Sequence, residues 1–206
     1  MTRSDRKGIY VPKLNPEKCN KCGICYQVCP GHSVDFKQLG QVIPDKTSKD
    51  ILLGNYLKSY IGHAADYSIR YSSASGGMIT ALLIFALEEQ LVDGVLVTKM
   101  NECNPLEPES FIAKSREEVI SASKSKYCPV AANVALKEIL QTKGKFAVAG
   151  LPCHLHGIRK AEQVSEELKE KIVLILGMFC SHAPNFWGTE LLLKRMKLKK
   201  EEVIKL

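Results

Sequence analysis

The chain lacks any long apolar run. The longest, Ala81 to Leu87, is far shorter than the roughly 20 residues that a membrane-spanning helix needs. Its start, Met1 to Gly8, is charged and has no hydrophobic segment of the secretory type. Together these absences imply a cytoplasmic protein with no membrane span. Zinc-finger spacing, an RNA-binding aromatic signature and basic-zipper heptads are also missing, so nothing here argues for a nucleic-acid partner. There is no internal repeat, and neither a GxGxxG turn nor a phosphate-binding P-loop is present. With 45% hydrophobic and 25% charged residues over 206 positions, disordered and low-complexity classes are excluded. The net charge of +7 comes from 29 basic against 22 acidic residues, much of it at Arg3 to Lys21 and Lys194 to Lys200. Such a balance favours acidic ligands or a solvated basic surface, and it does not bear on fold.

What is present is cysteine. Eight residues without a secretory signal point to metal or catalysis rather than disulfides. Four lie between Cys19 and Cys29, and four are scattered from Cys103 to Cys180. This unevenness suggests a small ferredoxin-type module over residues 1–45 and a linker over 46–70, where Gly54 and Gly62 fall and no period persists. A larger domain over 71–206 follows. There the pattern alternates. Met78 to Leu91 reads as a buried helix capped by Ser73 or Ser75, with Gly76 and Gly77 in its first turn. Val95 to Val97 reads as a strand, and Glu117 to Ser121 and Val130 to Leu140 as helices. Phe146 to Ala149 and Ile172 to Leu176 are continuous apolar runs, as in strands covered on both faces. The largely helical stretch His154 to Lys171 joins them, so a parallel crossover unit is expected. The fold class is α/β, α+β overall, with a mixed, partly parallel sheet.

Cys19, Cys22, Cys25 and Cys29, followed by Pro30, have the spacing C-x2-C-x2-C-x3-C-P of bacterial ferredoxins. Three thiolates two residues apart can wrap three corners of an iron–sulfur cube. Gly23 permits a backbone turn that a Cβ would hinder. A zinc site prefers two separated cysteine pairs. In two-cluster ferredoxins the last cysteine of such a run serves the other cluster, so Cys29 either closes the first cube or serves a second.

Cys153 lies in Gly150-Leu-Pro-Cys153-His154, where a strand ends and a helix starts. Cys180 lies just past a second strand and Gly177. If these strands are parallel neighbours, both thiols leave the carboxyl edge of one sheet, where open α/β sheets place their ligands. Neighbouring strands about 4.8 Å apart suit two ligands of one metal cluster. Buried structural cysteines remain an alternative, as does a thiol nucleophile pairing Cys153 with His154 or His156.

Several phrases then carry a resemblance. Ser75-Gly76-Gly77-Met-Ile-Thr80, Val92-Asp-Gly-Val95, Ser125-Lys126-Tyr127, Gly150-Leu-Pro-Cys153 and Gly177-Met-Phe-Cys180 stand in one register. Their order resembles the beta subunits of coenzyme F420 hydrogenases and dehydrogenases, over about Arg70 to Cys180. The resemblance implies an iron–sulfur flavoprotein subunit of an oxidoreductase that passes electrons between 4Fe-4S clusters and FAD. Hydride would then be exchanged with coenzyme F420 as substrate. It implies FAD contacts at Ser75, Gly76, Gly77, Thr80, Ser125, Lys126 and Tyr127. Lys126 would take a catalytic role beside the flavin, and Cys153 and Cys180 would ligate a second cluster. Its implied partners are other hydrogenase- or dehydrogenase-type subunits or a ferredoxin, and the basic charge suits a deazaflavin coenzyme with an oligoglutamate tail. Family members take further ligands from a later C-x2-C, which this chain does not reach before Leu206. The expectation is therefore a C-terminally truncated or split chain whose second cluster another chain completes, with Cys103 and Cys128 as substitute ligands. The alternative is a non-catalytic iron–sulfur carrier or assembly subunit without a working flavin.

Overall fold

The structure is a computed structural model and describes residues 1–4, 6–40 and 54–203. In chain order the elements are β1 (Thr2–Ser4), β2 (Ile9–Val11), α1 (Ile24–Gln27), α2 (Phe36–Gly40), α3 (Tyr67–Ser72), α4 (Met78–Glu88), β3 (Gly94–Met100), β4 (Pro108–Ala113), α5 (Arg116–Ser121), α6 (Leu136–Gln141), β5 (Phe146–Gly150), α7 (Pro152–Glu162), α8 (Glu166–Lys171), β6 (Ile172–Gly177) and α9 (Phe186–Arg195). The expected boundary at residue 45 and the first part of the expected linker, residues 46–53, lie outside the described residues.

The central sheet has the order β4-β3-β5-β6. β3, β5 and β6 run parallel, and β4 is antiparallel to β3 along its whole length, from Val95 against Ala113 to Met100 against Pro108. The β5–α7–α8–β6 segment is the expected parallel crossover. It forms because Phe146, Ala147 and Val148 are apolar without interruption and are buried on both faces. On one face Val95, Val97 and Ala147 pack with Leu83, Ile84 and Ala86 of α4 and Val119 of α5. On the other, Leu96, Phe146 and Val148 pack with Ile139 of α6, Ile158 of α7 and Leu168 of α8. Helices on both faces make this a three-layer α/β arrangement.

Several expectations change. β4 was not anticipated, because Glu109 and Ser110 interrupt its apolar pattern; its edge position, paired on one side only, tolerates them. Val130 to Leu140 begins as a 3₁₀ turn at Ala132–Ala135 before α6. His154 to Lys171 is two helices, broken where Ser165 caps α8 through the Leu168 N–H. No serine caps α4. Its N-cap is Gly77 at φ 74°, and the Ser73 hydroxyl instead donates to the Ile69 carbonyl at 2.7 Å. Nor is α4 buried all round: Met78, Leu82 and Phe85, spaced i, i+4, i+7, form an exposed apolar stripe.

The amino-terminal hairpin β1–β2 attaches to α9. The Phe186 N–H donates to the Gly8 carbonyl at 2.7 Å, Tyr10 meets the Phe186 ring edge-on at 5.1 Å, and Arg3 pairs with Glu190 at 2.7 Å.

Candidate electron-transfer site

The cysteine loop is built from turns. Asn20 accepts the Cys22 N–H at 3.1 Å, and Lys21 and Gly23 adopt left-handed φ of 58° and 77°. Gly23 then starts α1, which carries Cys25. Cys22 and Cys25 are exposed, Cys19 and Cys29 partly so, and none is in a disulfide. Among the described residues, no three His, Cys, Asp or Glu side chains converge as metal ligands would. The donor set nevertheless fits a cluster: four soft, free thiols occupy one short loop, and no heavy atom lies within 4 Å of where a Gly23 Cβ would point. Cys19, Cys22, Cys25 and Cys29 are the residues that would hold it.

This loop rests on α7. Lys160 donates from Nζ to the carbonyls of Cys29 at 3.1 Å and Ser33 at 2.6 Å. Phe36 meets the His156 ring edge-on at 5.2 Å. A Cβ on Gly157 would stand 3.5 Å from Pro30 Cδ, an ordinary packing distance, and 2.8 Å from Asn133 Nδ2, so the loop packs on α7 here while the tight approach is that of Asn133. The sequence reading missed all three contacts, although a glycine inside a helical pattern was a usable signal of close packing.

Of the second pair of cysteines, Cys153 lies in the first turn of α7 and Cys180 follows β6. Gly150 of β5 is in register with Gly177 of β6, and the Met178 N–H donates to the Gly150 carbonyl at 3.0 Å. Cys153 and Cys180 each lie three residues beyond those glycines, exposed, at the carboxyl edge of the sheet. Cys103 stands three residues beyond the end of β3 at the same edge, also exposed. Cys128 differs. It is fully buried, and burial pushes its thiol up to about 11 despite the nearby Lys126. A thiol held protonated in this way suits a core side chain better than a ligand. His154 is committed elsewhere: Nδ1 accepts the Leu151 N–H at 3.4 Å, and the ring also bonds backbone at Val130. Burial lowers its pKa, so the neutral imidazole is favoured.

The residues expected along FAD fall in two neighbouring loops and, for Thr80, in the first turn of α4. The Ser123 hydroxyl donates to the Ser72 carbonyl at 3.2 Å, tying residues 122–127 to the turn after α3. Arg70 donates to the Ser75 carbonyl at 2.7 Å. The Ala64 N–H donates to the Gly76 carbonyl at 2.7 Å, and a Cβ on Gly76 would reach the Gly62 carbonyl at 3.1 Å. Close packing of residues 62–64 therefore already favours glycine there. Ser75 and Tyr127 are exposed, and Thr80 lies in the first turn of α4, whose N–H groups have no side-chain cap. Lys126 is folded back, donating to the carbonyls of Ala122, Ser123 and Lys124 at 2.6, 2.8 and 2.8 Å. As placed, its ammonium orders the loop that ends α5.

Two adjoining segments match the coenzyme F420 hydrogenase/dehydrogenase beta subunit, residues 59–137 its N-terminal part and 143–206 its C-terminal part. The chain belongs to this family. Residues 12–34 match a 4Fe-4S binding domain, spanning all four cysteines of the first loop. The coenzyme F420 hydrogenase beta subunit of Methanosarcina barkeri is 30% identical over 64% of this chain and 47% of its own length. A coenzyme F420-dependent sulfite reductase of Methanocaldococcus jannaschii is 26% identical over 79% of this chain and 30% of its own. The F420-reducing [NiFe] hydrogenase complex from M. barkeri contains a chain of the same fold, with a TM-score of 0.63 at 24% identity over 72% of this chain and 54% of that one. The chain thus spans about half, or less, of these relatives. Family members are named as beta subunits of F420-dependent hydrogenases and formate dehydrogenases. Among the described residues no helix is long and apolar enough to cross a membrane.

Proposed function

We propose that the chain passes electrons between a 4Fe-4S cluster on Cys19, Cys22, Cys25 and Cys29 and an FAD held by the loops at residues 72–80 and 122–127. Hydride exchange with coenzyme F420 would occur at that flavin. The observation that carries this reading is α7: the cysteine loop packs on its middle while Cys153 opens its first turn at the sheet edge. Bound FAD would supply the conversion between hydride and single-electron chemistry.

The chain's own residues then have separable tasks. Gly77 leaves the first N–H groups of α4 without a side-chain cap, which favours a diphosphate there. Ser75 and Tyr127 offer exposed contacts on the two tied loops. Cys153 and Cys180, just beyond the carboxyl ends of adjacent strands, are a ligand pair for a second cluster. Hydrogenase- or dehydrogenase-type subunits, or a ferredoxin, are the proposed partners. The three domain segments, a cysteine module over residues 1–45, a linker over 46–70 and a flavin domain over 71–206, are proposed on the same basis.

The engagement of Lys126 by three carbonyls favours a second reading, a cluster carrier without a working flavin. Anaerobic reconstitution with iron, sulfide and FAD separates the two. Flavin retained on gel filtration and bleached by reduced F420 supports the enzyme subunit. Iron without flavin supports the carrier, and protein retaining neither overturns both.

A further inference from the structure

We propose that Lys160 sets the reduction potential of the amino-terminal cluster and holds it in place on α7, a role that rests on the cluster reading above. Lys160 lies 131 residues from Cys29 in sequence, yet its Nζ donates to the Cys29 carbonyl at 3.1 Å and to the Ser33 carbonyl at 2.6 Å. It therefore grips the loop at the last cysteine of the run and again four residues later. It also borders a cavity of about 420 Å³ against the loop, together with Tyr26, Gln27, His32 and Ser33. Tyr26 and Gln27 lie between Cys25 and Cys29 in sequence, so residues of the cysteine loop line this cleft beside Lys160.

The neighbouring contacts make that placement specific. Pro30 sits against Gly157, one turn before Lys160 on α7, and Phe36 meets His156. The lysine is partly buried, and a charge beside a partly enclosed cluster is screened less than one in open solvent. Cluster potentials respond to net charge, hydrogen bonding and solvent access. On one-electron reduction the cluster becomes more negative, so a fixed ammonium beside Cys29 stabilises the reduced form and raises the potential. Removing the charge lowers it. A merely structural lysine would change how much cluster is retained and leave its potential unmoved.

The test uses the full chain reconstituted anaerobically with iron and sulfide, poised with dithionite and read by electron paramagnetic resonance. Lys160→Met is expected to lower the reduced-to-oxidised ratio at a fixed potential about tenfold, equivalent to 59 mV for one electron. Lys160→Arg keeps the charge and is expected to hold the wild-type ratio. Lys160→Gln is the second uncharged variant, in case Met fails to retain iron. Equal ratios in wild type, Met and Gln overturn the proposal while leaving the cluster reading intact. Loss of iron from both uncharged variants, with Arg retaining it, also overturns the claim on potential and leaves an anchor only. A wild-type protein that binds no iron overturns the cluster reading as well.

Discussion

In the cysteine loop, none of the short helical pieces at Pro16–Lys18, Ile24–Gln27 and Phe36–Gly40 contributes a buried residue. In the sheet, Val95, Leu96, Phe146 and Ala147 are wholly removed from solvent. The sheet has the apolar burial that drives folding, worth about 25 cal/mol per Å². The loop has turns, a few hydrogen bonds and the grip of α7. A cluster held by its thiols, as proposed, would add to its order, because binding a metal group only in the folded state adds directly to stability. On the proposed function, the cluster sits on the less self-sufficient region and is aligned by the more stable one.

The sharpest way to break this contrast is in the core. Phe146→Ala would leave a cavity between β5 and the helices α6 to α8 and is expected to cost about 3–5 kcal/mol by urea unfolding. A cost near zero would mean that the sheet is not the stable partner. Next comes the joint between the two regions. Gly157→Ala would push a methyl group to 2.8 Å from Asn133 Nδ2 and 3.5 Å from Pro30. It should cost about 1–3 kcal/mol and quicken proteolysis within residues 12–40. Unchanged cleavage there would show that the loop does not depend on the helix.

A weaker effect depends on pH. The folded His154 has a lowered pKa from burial, so below about 6.5, the ordinary imidazole value, the unfolded chain binds more protons than the folded one. Stability of iron-free protein should fall as pH drops through 6.5 towards the lowered folded value. His154→Gln should flatten that slope, and a slope unchanged in the variant would assign it to another group. The smallest effect on the sheet is expected from Cys22→Ser. It should lower iron content after reconstitution yet shift the unfolding of iron-free protein by no more than about 0.5 kcal/mol, since Cys22 is exposed.

Much of the layout was legible beforehand. The run Phe146 to Ala149 is the covered strand that its pattern predicts, whereas Ile172 to Leu176 forms the edge strand β6, where only Ile172 is buried and Val173 is exposed, and the parallel crossover between them follows from chain handedness and length. The cysteine spacing needed no coordinates. β4 was hidden because an edge strand accepts Glu109 and Ser110, which a two-sided burial pattern would not. The cap of α4 was misread because a serine near a helix start can turn to another partner, as Ser73 does towards Ile69. The resemblance implies a role beside the flavin for Lys126, and its three carbonyl contacts belong to a local turn with no distinctive residue pattern.

Composition and spacing alone determine the class of chemistry here, since soft thiolates at ferredoxin intervals and apolar runs of strand length are local facts of the chain. Which residues meet is a different matter. That Lys160 reaches Cys29, that Gly157 receives Pro30, and that Cys153 and Cys180 leave one edge in matching register depend on long-range packing. Such contacts join positions far apart in sequence, and only the folded sheet with its helices brings them within a few ångströms.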